Sequence, residues 1–252
     1  MECKDGWQES PGRPMPCPIC QGAGFTRVDV PVGHPHFGKA IACACQQAAK
    51  QERRQRELLA LSRLDRFELF RSARFSTFNL AVPGIQEAYQ MAKSFAQQPQ
   101  GWLLLAGNHG CGKTHLAIAV TKACLERGMA VLFAVVPDLL DHLRATMTPD
   151  TQEQFEERFL KLRDADVLVL DDLGTQQRSP WADEKLFQVL NYRYNTRMPT
   201  LMTTHPQELY TLDEHIRSRL SDASLVTTIM MTEAQDYRPF TSPKQGTGPL
   251  QE

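Results

Sequence analysis

The sequence predicts a doubly wound α/β domain preceded by a small cysteine-rich module. Three observations carry this. From Phe75 onward, short apolar runs alternate with helical stretches, as in a parallel sheet covered by helices. The first of these runs leads into Gly107-Asn108-His109-Gly110-Cys111-Gly112-Lys113-Thr114, a glycine-rich turn that opens a helix. Four of the seven cysteines crowd between Cys17 and Cys45.

Residues 1–16 hold Gly6, Pro11, Gly12, Pro14 and Pro16 with little apolar content, which reads as a flexible leader. Residues 17–46 form the cysteine module. Residues 47–74 read as a helical connector, free of Gly and Pro, with Leu58, Leu61, Leu64 and Leu69 as a partial apolar stripe. Between Gln46 and Arg74 eight basic residues face four acidic ones, a local charge of +4. That charge belongs either to an ordinary solvated face or to a nucleic-acid backbone contact. Residues 75–232 form the α/β core. Its five strands are expected at Trp102–Ala106, Ala130–Val135, Val167–Leu170, Thr200–Thr203 and Leu225–Met230. Helices are expected at Lys113–Arg127, Asp138–Met147, Thr151–Arg163 and Asp183–Arg197, the third opening on a Thr151/Gln154 capping box. Phe155, Phe159 and Leu162 share one face of that third helix, and Leu186, Leu190 and Tyr194 share one face of the fourth. Residues 233–252, rich in Pro and Gly, read as a disordered tail.

Composition excludes several classes. With 28 Lys plus Arg against 29 Asp plus Glu, the net charge of −1 rules out a uniformly basic nucleic-acid binder. The longest apolar stretch, Ala130–Val136, is far short of the ~18 residues a membrane span needs, and the N-terminus has no apolar signal core. A cytoplasmic setting is therefore expected, and there clustered cysteines favour metal or thiol chemistry over disulfides.

The octapeptide Gly107–Thr114 fits G-x-x-x-x-G-K-[ST]. Its glycines let backbone N–H groups turn inward around a phosphate, and the helix that follows adds the positive end of its dipole. Lys113 is assigned to the β- and γ-phosphates of ATP and the Thr114 hydroxyl to magnesium. Cys111 sits in the loop as a bystander. The run Val167–Leu170 then delivers Asp171 and Asp172 to the ligand-binding edge of the sheet. Asp171 is assigned to magnesium and Asp172 to the attacking water. Thr203-Thr204-His205 ends the fourth strand, where a polar side chain meets the γ-phosphate. Arg217 and Arg219 precede the fifth strand, and one of them is a candidate to reach a neighbouring subunit's nucleotide.

Cys17-Pro18-Ile19-Cys20 and Cys43-Ala44-Cys45 supply four thiolates in two close pairs, as a tetrahedral structural zinc site requires. Free or redox-active thiols are the competing assignment, with His34 and His36 as substitute ligands.

The order of these motifs resembles the AAA+ ATPases of the DnaC/IstB type, the bacterial and phage helicase loaders and their transposition-associated relatives. The likeness covers about residues 75–232 and rests on Gly107–Thr114, Leu170-Asp171-Asp172-Leu173-Gly174, Glu184-Lys185-Leu186-Phe187 and Ser218-Arg219-Leu220. It implies an AAA+ core and ATP hydrolysis catalysed through Lys113, Asp172, His205 and Arg219, the last as an arginine finger with Arg217 as the alternative; the short stretch after the fifth strand leaves the helical lid expected to be absent or reduced, and His205 leaves hydrolysis expected to be slow. His205 departs from the family, whose members commonly carry Asn there; an imidazole's protonation varies near neutral pH, so the rate is expected to be pH-sensitive. The implied partners are a replicative DnaB-type helicase, single-stranded DNA and further copies of the chain when ATP is bound, with no membrane. An IstB-like role in transposition is the alternative. A zinc-dependent DNA-binding module with a degenerate ATPase is the third reading.

Overall fold

The computed structural model describes residues 17–64, 68–145, 151–177, 179–234 and 236. The predicted leader, Asp65 and Arg66 of the connector, Met147, Arg238 and the tail from residue 237 lie outside the described residues. The chain divides into two compact units between Arg53 and Arg54.

In the first unit β1 (Phe25–Arg27) pairs antiparallel with β2 (Ala40–Ala42), Thr26 opposite Ile41. Neither strand is long enough to show an alternating pattern in the sequence. The chain then enters α1 (Ala44–Ser62), which runs through the division.

The second unit continues with α2 (Glu68–Ser72), α3 (Gln86–Gln97), β3 (Trp102–Gly107), α4 (Lys113–Glu126), β4 (Val131–Val135) and α5 (Val136–Ala145). It is completed by α6 (Gln152–Asp164), β5 (Val167–Leu173), α7 (Pro180–Asn195), β6 (Thr200–Thr204), α8 (Glu214–Leu220) and β7 (Val226–Met231). The sheet is five-stranded and parallel, in the order β4-β5-β6-β3-β7. Period-two alternation sends side chains to two cores. Leu104, Leu132, Leu168, Leu170 and Met202 pack against Leu143, Leu162, Leu186 and Leu190 of α5, α6 and α7. Leu103, Leu105, Val169 and Leu201 pack against Ala92, Phe95, Leu116 and Val120 of α3 and α4. Both faces are covered, as the near-continuous apolar strands require. Among the described residues no helix is long and apolar enough to cross a membrane.

The five expected strands form. β5 runs three residues past the expected end at Leu170, because its pairing with β6 resumes at Leu173 after an irregularity. α7 begins at Pro180 and not Asp183: Ser179 is its N-cap, accepting the Ala182 N–H at 3.2 Å, and Pro180 suits the first turn, where no intrahelical N–H is needed. The capping box predicted for α6 does not form; Thr151 is the N-cap residue but makes no side-chain cap hydrogen bond. α3 and α8 escaped sequence reading, α3 because its buried stripe is mostly alanine (Ala88, Ala92, Ala96) and α8 because it has only seven residues.

Part of the basic connector is engaged within the second unit. Arg54 pairs with Asp166 at 2.8 Å and also donates to the Asp164 carbonyl. Ser62 Oγ accepts the Phe133 N–H at 2.9 Å, so the end of α1 satisfies an outward-facing donor of edge strand β4. Leu58 and Leu64 of the expected stripe are buried, whereas Leu69 is 41 % exposed.

Candidate functional site

The phosphate loop forms where β3 ends and α4 begins. Gly110 and Gly112 have φ values of 70° and 99°, which favour glycine. A Cβ at Gly112 would also lie 2.8 Å from the Phe78 ring. Lys113 is 7 % exposed, and its Nζ donates to the carbonyls of Gly107 at 2.9 Å and Asn108 at 2.8 Å. The ammonium is thus held across the mouth of the turn. Asn108 Nδ2 ties the loop to the Thr232 carbonyl at 3.1 Å. Cys111 is buried, which pushes its thiol up and keeps it an unreactive neutral group.

Strand order brings the second motif alongside. β6 lies between β3 and β5, so the ends of three adjacent parallel strands converge. Thr114 Oγ1 donates to Asp171 Oδ1 at 3.2 Å. Thr203 Oγ1 donates to the same oxygen at 2.6 Å and accepts the Asp172 N–H at 3.0 Å. Asp171 is 2 % exposed, and burial, followed by the Asp172 charge, raises its carboxyl to about 6 against the hydrogen bonds from Thr203 and Thr114. Asp172 takes the left-handed conformation with φ 56°, anchored by Thr203. A hydroxyl and a carboxylate oxygen side by side form a hard donor set of the kind magnesium takes.

His205 follows β6, and its ring stacks on His109 of the phosphate loop, centroids 4.8 Å apart and planes 15° from parallel. The sequence placed His109 in the phosphate loop and Thr203 at the strand end, but did not show the His109 ring against His205 or Thr203 bonded to both Asp171 and Asp172. The only available signal for Thr203 was a hydroxyl two residues before His205.

Arg219 is not brought to its own chain's phosphate loop. Its Nη2 donates to Asn191 Oδ1 of α7 at 3.1 Å, and its guanidinium lies over Phe187 and Tyr194, with Nε buried and without a hydrogen-bond partner. Arg217 is exposed.

In the first unit the Sγ atoms of Cys17, Cys20, Cys43 and Cys45 all lie within 4.8 Å of one another. Cys17 and Cys43 are 3.8 Å apart and Cys20 and Cys45 3.4 Å. Four sulfurs at ~2.3 Å from a tetrahedral zinc stand about 3.8 Å from each other, so the cluster is compatible with zinc. The Gly24 N–H donates to Cys20 Sγ at 3.3 Å and holds that thiol down at about 6. His34 and His36 are exposed and outside the cluster.

The family model for "IstB-like ATP binding protein" matches residues 41–232. The chain belongs to the IstB-like ATP-binding protein family. Its second unit is accordingly a P-loop AAA+ ATPase domain. Among curated proteins, this IstB-like chain is 26 % identical over 140 residues to the replicative helicase loader DnaC of Escherichia coli K12, covering 54 % of this chain and 57 % of that protein. It is 25 % identical to the replicative helicase loader DnaI of Bacillus subtilis, covering 66 % of this chain and 55 % of that protein. The chain therefore spans somewhat more than half the length of these two relatives. The solved structure of the DnaC helicase loader superposes with a TM-score of 0.57 at 26 % identity, covering 65 % of this chain and 99 % of that one.

Proposed function

We propose that this IstB-like protein hydrolyses ATP to control loading of a DnaB-type replicative helicase onto single-stranded DNA. This reading is supported by the convergence of Lys113, Thr114, Asp171, Asp172 and His205 at one edge of the sheet, within the 65 % of this chain that superposes on 99 % of the solved DnaC helicase loader chain.

The roles follow from position. Backbone N–H groups of residues 107–114 and the Lys113 ammonium hold the phosphates. Thr114 and Asp171 hold magnesium, which neutralises charge on the phosphate oxygens. Asp172, kept in place by Thr203, accepts a proton from the attacking water. His205 donates to the γ-phosphate end. Arg219 acts on the nucleotide of an adjoining copy, a role supported by its engagement with Asn191 of α7 and not with its own chain's phosphate loop. Cys17, Cys20, Cys43 and Cys45 bind a structural zinc, folding the module that docks the helicase.

The test is co-sedimentation of the full chain with its cognate replicative helicase, with and without ATP. A complex that forms, together with hydrolysis abolished by Lys113→Ala, supports the reading. No complex under either condition refutes helicase loading. Stimulation by a transposase in place of the helicase would establish the transposition role.

A further inference from the structure

His109 is not used by the phosphate-binding motif. G-x-x-x-x-G-K-[ST] constrains the glycines, Lys113 and Thr114, and phosphate is bound there by backbone N–H groups, so the side chain at position 109 is free to serve another purpose. In this protein it is an exposed ring lying flat against His205, at 4.8 Å between centroids and 15° between planes.

His205 has a second restraint. The Gln207 N–H donates to its Nδ1 at 3.3 Å. A neutral imidazole has one donor nitrogen and one acceptor nitrogen, so with Nδ1 accepting, the ring proton resides on Nε2. An amide side chain at this position carries two donor hydrogens. An imidazole carries one, aimed along a single in-plane direction, and is useful only if the ring plane is held. The His109 face holds the ring plane, and only in that plane does Nδ1 meet the Gln207 N–H that selects the tautomer, so losing the stack loosens both restraints.

We propose that His109 is a positioning residue for ATP hydrolysis: its ring stacks on His205 and keeps the Nε2–H of His205 presented from the end of β6 beside the phosphate loop. This rests on His205 being the residue that meets the γ-phosphate end.

Two measurements on the full chain test it. The first needs no nucleotide: histidine nitrogen NMR of the wild type should show His205 as the Nε2–H tautomer, and in His109→Ala that signal should move toward a mixture of tautomers. The second is kinetic. His109→Ala should lower kcat about tenfold or more while the Kd for a fluorescent ATP analogue changes less than about twofold, the pattern of a misaligned catalytic group. His109→Phe keeps a flat ring in place and should restore most of the lost turnover. Adding His109→Ala to His205→Ala should cost little more than His205→Ala alone, because His109 acts only through that ring. Unchanged His205 tautomer and unchanged kcat in His109→Ala overturn the proposal. So does a loss confined to ATP affinity, which would make His109 a loop-binding residue. Wild-type hydrolysis no higher than that of Lys113→Ala would instead refute the underlying assignment of the site, and the proposal with it.

Discussion

Replacing Thr203 by valine keeps the shape of a side chain that is 0 % exposed and removes both of its polar functions. The hydroxyl donates to the Asp171 carboxylate at 2.6 Å and accepts the Asp172 N–H at 3.0 Å. A hydrogen bond to a charged group contributes about 1.5–3 kcal/mol, and a buried N–H left without an acceptor costs about 1–3 kcal/mol. Asp171 keeps Thr114 as a donor at 3.2 Å, and Asp172 is only half-buried, so both contributions fall toward their lower ends. The expected loss is about 3 kcal/mol. The neighbouring Thr204→Val is the internal control. Thr204 is equally buried, but its main bond is neutral, to the Leu173 carbonyl at 2.6 Å, and its loss should cost about 1 kcal/mol. Urea unfolding followed by circular dichroism, at constant m, reads both values. Thr203→Val should also slow ATP hydrolysis more than Thr204→Val does, since Asp172 loses the bond that fixes its left-handed backbone. If the two variants are equally stable, the bridge from the Asp171 carboxylate to the Asp172 N–H contributes nothing and the reasoning fails.

Asp171 predicts a pH dependence. Its folded carboxyl, held at about 6 by burial and the Asp172 charge, lies above the ordinary 3.8, so the folded state binds the proton more tightly. The stability this provides is complete below about 4 and is lost as pH rises through 6, a change of about 3 kcal/mol in metal-free protein. Urea midpoints in chelator should show this loss in the wild type and not in Asp171→Asn. Arg193, 0 % exposed, donates to Thr200 Oγ1 and to the carbonyls of Arg163, Ala165 and Pro199, joining the end of α6 to the starts of β5 and β6. Arg193→Met should lower stability by about 2–4 kcal/mol in the same assay, because the Arg163 and Ala165 carbonyls lose the Arg193 donor while Pro199 keeps the Leu168 N–H. Zinc removal by a strong chelator, or Cys43→Ser, should unfold residues 17–45 and leave ATP affinity within about twofold, read by native mass spectrometry and nucleotide titration.

The motif Gly107–Thr114, the carboxylates Asp171 and Asp172, the five apolar strands and the two cysteine pairs were legible in the sequence. In each case the determining residues are contiguous or nearly so, and local sterics, periodicity and ligand spacing act over a few positions. Where local signals were thin, legibility failed: α3 carries an alanine stripe, and the Thr151 capping box has the right letters without the hydrogen bond.

Tertiary structure alone decided the rest. Placing β6 between β3 and β5 turns Thr203 into the link between Asp171 and Asp172, which lie more than thirty positions earlier in the chain. The same order stacks His205 on His109 across nearly a hundred residues. It also fixes the partner of Arg54, which meets Asp166 because the described part of α1 from Arg54 onward lies along the β4 edge. Sequence determines which chemistry a short segment carries. Strand order, set by burying two apolar faces at once, determines which of those segments meet.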